Sequence, residues 1–160
     1  MSNPQMVMYE EEFQEINVVI ERLLQEANAK VIFLVDKNGQ LIASSGQAQN
    51  LDTTSLASLT AGNVAAMGGL AKLIGEKEFP NQFHEGEKES LHMSIVGGRV
   101  VLVVIFDAKS SLGLVRLRVK KAGEELGKVF EVLAQKQAAP GAASPFAEIT
   151  DDDIDNLFSE

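Results

Sequence analysis

The stretch that most constrains the fold covers residues 51–75 and reads LDTTSLASLTAGNVAAMGGLAKLIG. Large apolar residues recur in it at intervals of three and four, which is the spacing of one face of an α-helix. Asp52 or Thr53 can cap the start of this helix, and Gly75 can end it. The pattern therefore predicts one long central helix.

A second track along this helix carries very small residues, followed by a further glycine, Gly69. A glycine inside a helix costs about 1 kcal/mol relative to alanine, so a close approach by another element is the expected compensation. In a chain this short, a helix that needs burial on two sides favours a symmetric dimer. The alternative is a helix packed tightly on its own sheet. The predicted dimer contacts are Ala57, Ala61, Ala65 and Gly68.

Two further helices and several strands follow from the spacing of the remaining apolar residues. Amphipathic helices are predicted over residues 10–27 and 112–137, and near-continuous apolar runs predict central strands over 29–35 and 99–106. Asn38-Gly39 and Gly97-Gly98 are typical of hairpin turns. We expect an α+β fold, an α/β/α sandwich whose antiparallel sheet is covered by helices on both faces. Shorter strands are predicted over 41–44, 82–85 and 89–96.

The composition changes after the last predicted helix. We divide the chain into a frayed N-terminus (1–8), a folded domain (9–137), a flexible small-residue linker (138–147) and an acidic amphipathic tail (148–160). The tail is either a disordered solubilising segment or a tethered recognition element that orders on a partner. Its candidate contact residues, counting one from the linker, are Phe146, Ile154, Leu157 and Phe158.

Composition excludes several classes of chemistry. The 160 residues include no cysteine, and the net charge of -9 makes nucleic acid an unfavourable partner. No phosphate-binding glycine loop is present, and no apolar run is long enough to span a bilayer, so we expect a cytoplasmic protein without a cofactor. His84 with Glu85 and Glu87 is the one group resembling a metal cluster. Strand alternation sends His84 and Glu85 to opposite faces, so we predict neither a metal site nor catalytic residues.

The order helix–hairpin–long helix–hairpin–helix, together with four segments of the sequence, resembles the Roadblock family and in particular its bacterial gliding-motility members. The segments are DKNGQLIASSG, ASLTAGNVAAMGGLAKLIGE, SLHMSIVGGRVVLVVIFD and SLGLVRLRVKKAGEEL. The resemblance covers residues 7–137 and extends into the acidic tail. It implies a homodimer built from the central helices and neighbouring edge strands, with a continuous sheet across the two-fold axis.

The same resemblance implies a function. Its expected partner is a small Ras-like GTPase of the MglA type, whose GTP hydrolysis the dimer stimulates. Cell polarity and reversal of gliding motility depend on that switch, and enrichment at one cell pole is expected. The competing reading is a Roadblock adaptor that acts as a scaffold without affecting hydrolysis.

An activator can supply an arginine to the GTPase or can position the residues of the GTPase itself. Arg99, beside Gly98 in a predicted hairpin, is the most finger-like arginine, but the resemblance favours the scaffold. The arginines available are Arg22, Arg99, Arg116 and Arg118. We expect the exposed positions of the first and third helices to contact the GTPase, while the tail docks in an apolar groove on it and influences nucleotide exchange. The predicted helix contacts are Glu12, Glu15, Lys120, Lys121 and Glu124.

Overall fold

A five-stranded antiparallel sheet in the order β2-β1-β5-β4-β3 organises the fold, in a computed structural model that describes residues 8–138. The strands are β1 (Val31–Asp36), β2 (Leu41–Gly46), β3 (Asn81–His84), β4 (Ser90–Val96) and β5 (Val100–Phe106). The helices are α1 (Glu10–Glu26), α2 (Thr53–Leu73) and α3 (Leu112–Ala138). Their order is the predicted one, and the ends of the predicted elements differ by only a few residues. The predicted linker and tail contacts lie outside the described residues.

The two apolar strands occupy the centre of the sheet, as predicted. Every residue of β1 is buried, because neighbouring strands and helices cover both of its faces. Ile32 and Leu34 belong to the apolar cluster beneath α1 and α3, whereas Phe33 and Val35 belong to the cluster beneath α2. The two-residue period of a strand thus divides one apolar run between two cores.

The two helical layers are unequal. Helices α1 and α3 lie on one face and bury a large core with the sheet. Helix α2 lies on the other face, where a smaller cluster includes Phe33, Ala57 and Val103. Leu91 and Ile105 of that face are only partly buried. The sheet is therefore better covered on the α1 and α3 side.

Two carboxylates fix the ends of local elements. Asp52 caps α2, because its Oδ1 accepts a hydrogen bond from the Ser55 amide at 3.1 Å, as predicted. In the β1–β2 hairpin, the Asp36 carboxylate accepts from the amides of Asn38 at 2.9 Å and Gln40 at 3.0 Å. Gly39 adopts a φ of 92°, which favours glycine, whereas Asn38 keeps a negative φ. The hairpin turn predicted at Asn38-Gly39 is therefore present, and Asp36 helps to close it.

Truncation of a central side chain tests the core. We expect Leu102→Ala, at a fully buried position of β5, to lower the free energy of unfolding by about 2–5 kcal/mol. The matched control is Leu117→Ala on the exposed side of α3, which should change it by no more than about 0.5 kcal/mol. Urea unfolding followed by circular dichroism at one protein concentration measures both values. Equal losses in the two variants would contradict this core.

Candidate partner-binding surfaces

The small-residue track of α2 does not form one uniform surface. Ala57 is only 1% exposed and packs against the sheet, so the prediction that its side chain contacts a second copy is wrong. It lies on the sheet-facing side of the helix, where only a small residue lets the backbone approach. Ala65 is exposed, and Ala61 and Gly68 are half-buried, so these three remain available to a partner.

These three available residues line an open groove of about 670 Å³, together with Lys37 and Gly98. A Cβ atom built on Gly68 or Gly69 would meet no atom within 4 Å. The close approach that would offset two helical glycines is therefore absent within the described part of one protomer. Space for a partner lies directly above them.

Large apolar side chains of α2 also face solvent. Leu59 is 73% exposed and Leu73 is 83% exposed, and Leu70 and Ile74 are exposed as well. A patch of this kind on a water-exposed helix marks an interaction surface. Helix α2 therefore presents both a small-residue groove and a set of exposed leucines.

One edge of the sheet, at the end away from β2, is formed by β3. Strand β3 is the last strand of the sheet, and it pairs only with β4 among the described residues. Its Phe83 stacks on Phe106 of β5 with ring centroids 6.2 Å apart, which holds the strand against the sheet. The outer edge of β3 keeps its backbone groups available to another strand.

On the opposite face, made by α1 and α3, the predicted GTPase contact at Glu12 is buried. Glu12 is 2% exposed and pairs with Lys136 of α3, so its expected contact with a GTPase is wrong. Lys136 also lies 5.3 Å from the centre of the Tyr9 ring. Amphipathic spacing placed Glu12 among the solvated acids of the first turn, but the long lysine from α3 draws it into the helix interface. Its hydrogen bond to Lys136 lowers the pKa of Glu12, and the same bond raises the pKa of Lys136.

The other predicted contacts on this face are exposed. They are Glu15, Lys120, Lys121 and Glu124. Nothing in the protomer tests whether they touch a GTPase, so that role stays a prediction.

Two of the four arginines serve structure. Arg22 of α1 pairs with Glu26 and with Glu125 of α3, while Arg118 reaches Glu26 at 3.3 Å. These ion pairs bind α1 to α3, which leaves both guanidinium groups engaged within the fold.

Arg99 lies in the β4–β5 hairpin, after two glycines with positive φ. Its carbonyl oxygen accepts a hydrogen bond from the Lys37 amide at 3.2 Å, which ties this hairpin to the β1–β2 turn. Lys37 and Gly98 both border the groove on α2. Arg99 is thus next to a candidate partner surface.

A second cavity lies between α3 and strand β4, and sequence reasoning missed it. His92 and Ser94 line this cavity, and they are 3% and 7% exposed. Burial lowers the pKa of His92, and the nearby Arg116 lowers it further. The sequence signal that could have found it is strand alternation. His92 and Ser94 alternate with Leu91 and Met93 along β4, so they share the opposite face of that strand, which is also buried.

The described residues contain neither a metal-ligand cluster nor a membrane-spanning helix. Across residues 8–138, no three histidine or acidic side chains come together as metal ligands, and His84 is exposed. None of the helices in that range is both long and apolar enough to cross a bilayer.

The antiparallel sheet between one central helix and a helix pair is the architecture of a known family. Residues 15–106 match the Roadblock/LC7 domain, and the chain belongs to this family. It is 78% identical to Myxococcus xanthus MglB, with a TM-score of 0.76 over 79% of this chain and 96% of that one. The gliding protein MglB of Thermus thermophilus is 34% identical, with a TM-score of 0.76 over 82% of this chain and 99% of that one.

More distant relatives extend the family. An uncharacterized protein of Methanocaldococcus jannaschii is 31% identical over 116 residues, which is 70% of this chain and all of that protein. The Roadblock fold predicted from sequence is therefore confirmed, and so is the resemblance to the gliding-motility proteins.

The Glu12–Lys136 pair predicts a pH dependence. A carboxyl whose pKa is lowered adds stability above its unfolded value of about 4.3, and this contribution is lost as pH falls through the folded value. A lysine whose pKa is raised adds stability below about 10.4, and this contribution is lost as pH rises through its folded value. Lys136→Met should therefore lower the midpoint of thermal unfolding at neutral pH, and the deficit should shrink below about pH 4.

Lys128→Met is the matched control, since Lys128 is an exposed lysine of the same helix. Its thermal midpoint should stay near that of the parent across this range. A Lys136→Met deficit that is the same at pH 3 and pH 7 would contradict the pair.

Proposed function

We propose that this protein is a homodimeric activator of GTP hydrolysis by a small Ras-like GTPase of the MglA type. The supporting observation is its 78% identity to M. xanthus MglB across nearly the whole of that chain. In this proposal the protein is a regulator without catalytic residues of its own. It works in the cytoplasm, enriched at one cell pole, and controls cell polarity and the reversal of gliding.

The dimer in this proposal joins the β3 edges of two copies and places their α2 helices side by side. Edge pairing would satisfy the free backbone groups of β3 and continue the sheet across the two-fold axis. The exposed leucines of α2 supply the apolar area that such an interface needs. The partly buried Leu91 and Ile105 lie on the same sheet face as α2 and would be covered as well.

The activating mechanism in this proposal is positioning. Phosphoryl transfer depends largely on holding the nucleophile and on stabilising charge, and a GTPase can bring its own arginine and glutamine. A rigid dimer surface that fixes the switch regions is then sufficient. The paired helices α1 and α3, bound by the Arg22 and Arg118 ion pairs, give such a surface its rigidity.

GTPase contacts are proposed from the sequence. Glu15, Lys120, Lys121 and Glu124 lie exposed on α1 and α3 and are available for them. For the tail, we propose that its apolar residues dock on the GTPase and promote nucleotide exchange.

Measuring GTP turnover tests whether the protein activates a GTPase. Adding the full-length protein to a GTP-loaded MglA-type GTPase should raise the rate of phosphate release in a saturable way. Arg99→Ala should keep that stimulation within about threefold of the parent, since loss of a true arginine finger costs about 10³–10⁵ in rate. Arg99→Lys is the matched variant that keeps the charge. A collapse of stimulation in both variants would establish a finger and overturn the scaffold.

If binding is confirmed in the same sample and no stimulation occurs, the activator proposal fails. The adaptor alternative then replaces it.

Charged substitutions on α2 test the proposed dimer. Leu70→Arg with Leu73→Arg places two charges among the exposed leucines, and we expect monomers of about half the parent mass by light scattering after size exclusion. The comparison variant, Ala65→Arg with Gly68→Arg, fills the small-residue groove and, on the sequence-based prediction, also gives monomers. A leucine variant that remains dimeric would contradict the proposed interface. A groove variant that remains dimeric would overturn the assignment of Ala65 and Gly68 to the interface.

A further inference from the structure

The cavity between α3 and strand β4 has a volume of about 590 Å³. Asn81 of β3, His92 and Ser94 of β4, and Arg116 and Lys120 of α3 contribute polar side chains to its lining. Val96, Leu117 and Val119 supply apolar lining. The size and the mixed lining are typical of small-molecule sites.

Two buried polar atoms at this cavity lack partners. His92 Nδ1 and Ser94 Oγ are inaccessible to solvent and make no hydrogen bond within residues 8–138. A buried polar group without a partner costs about 1–3 kcal/mol, and native proteins keep few of them. Both residues line the same cavity and lie two positions apart on β4, so two unpartnered polar groups lie beside the space that a ligand would occupy.

Positive charge lies beside these two atoms. Arg116 and Lys120 are one helical turn apart on α3, and both are exposed. Whereas Arg22 and Arg118 are held in ion pairs, no carboxylate among the described residues forms a salt bridge with Arg116 or Lys120. Arg116 is close enough to His92 to lower the pKa of that imidazole. The two cations are thus free to bind an anion at the mouth of the cavity.

We propose that this cavity binds the phosphate group of a small phosphate ester. Arg116 and Lys120 would neutralise the phosphate, Ser94 would donate its hydroxyl proton to a phosphate oxygen, and the His92 ring would complete the contacts. The apolar lining would hold the organic body of the ester.

Phosphate fits this set of groups better than a carboxylate does. It carries a charge near −2 at neutral pH and presents three acceptor oxygens, which matches two cations and several neutral donors. Arginine also binds phosphate with two parallel hydrogen bonds. Glu124 lines the cavity too, one turn beyond Lys120, and weakens the positive potential without cancelling it. This inference concerns the protein alone and does not depend on the proposed GTPase.

The two histidines of the chain make the test direct. The probes are inorganic phosphate and ribose 5-phosphate, titrated into full-length protein at pH 7.5 while the ring ¹H–¹³C signals are followed by NMR. The His92 signal should move in a saturable way and the exposed His84 signal should not. Sodium acetate and sodium chloride at equal ionic strength should leave both signals in place.

Three variants sharpen the test. Arg116→Gln should weaken phosphate binding by about tenfold or more, because it removes a charge-assisted contact. Glu124→Gln should tighten binding by removing the opposing charge. Lys128→Gln, on the same helix but away from the cavity lining, should bind as the parent does.

Each remaining outcome overturns the proposal. A shift that does not saturate, an equal response to acetate or chloride, or undiminished binding by a folded Arg116→Gln variant would show that the cavity is not a phosphate site. If His92 responds to inorganic phosphate but ribose 5-phosphate binds no more tightly, the site holds free phosphate and the ester assignment fails.

Discussion

The fold depends on burying two near-continuous apolar strands, β1 and β5, at the centre of one sheet. Strands of this kind need cover on both faces, and residues 8–138 contain three helices to provide it. Two of them, α1 and α3, pack together on one face and make the larger core. The single helix α2 covers the other face over a smaller area and keeps large apolar side chains in solvent. The same hydrophobic constraint that builds the domain therefore leaves an apolar surface of α2 exposed to solvent.

Charge has a different role on the two faces. Ion pairs between α1 and α3, made by Arg22, Arg118 and Lys136, hold the covered face together. Lys37 and Lys72 border the groove on the α2 face, where small residues leave room. The cavity lined by His92 and Ser94 lies on the α3 side of the sheet. The fold thus has three distinct regions: the ion-paired layer of α1 and α3, the apolar surface of α2 and the polar cavity beside β4.

Sequence reasoning recovered the elements well because the signals were local. The cap at Asp52, the alternating runs of β1 and β5, and the three-and-four spacing of α3 are each determined by nearby residues. The errors at Ala57 and Glu12 both arose from contacts between elements that are distant in sequence. Ala57 belongs to the sheet contact because of where α2 crosses β1, and Glu12 is buried because a lysine more than a hundred residues away reaches it.

The missed cavity has the same explanation as those errors. A histidine and a serine in an alternating strand indicate a solvated face when the strand is read by itself. Only the position of α3 over β4 shows that this face is covered and that two cations stand beside it. The alternation of residues along a strand can predict which face a residue occupies, but it does not predict which element packs against that face.

Amide hydrogen exchange in β3 of the full-length protein tests the central claim most directly. If a second copy pairs with this strand, the amides of Asn81–His84 that do not bond to β4 should exchange as slowly as those of a central strand. Exchange at the rate of a free edge, at protein concentrations used for activity, would contradict the claim that this family member works through a joined sheet.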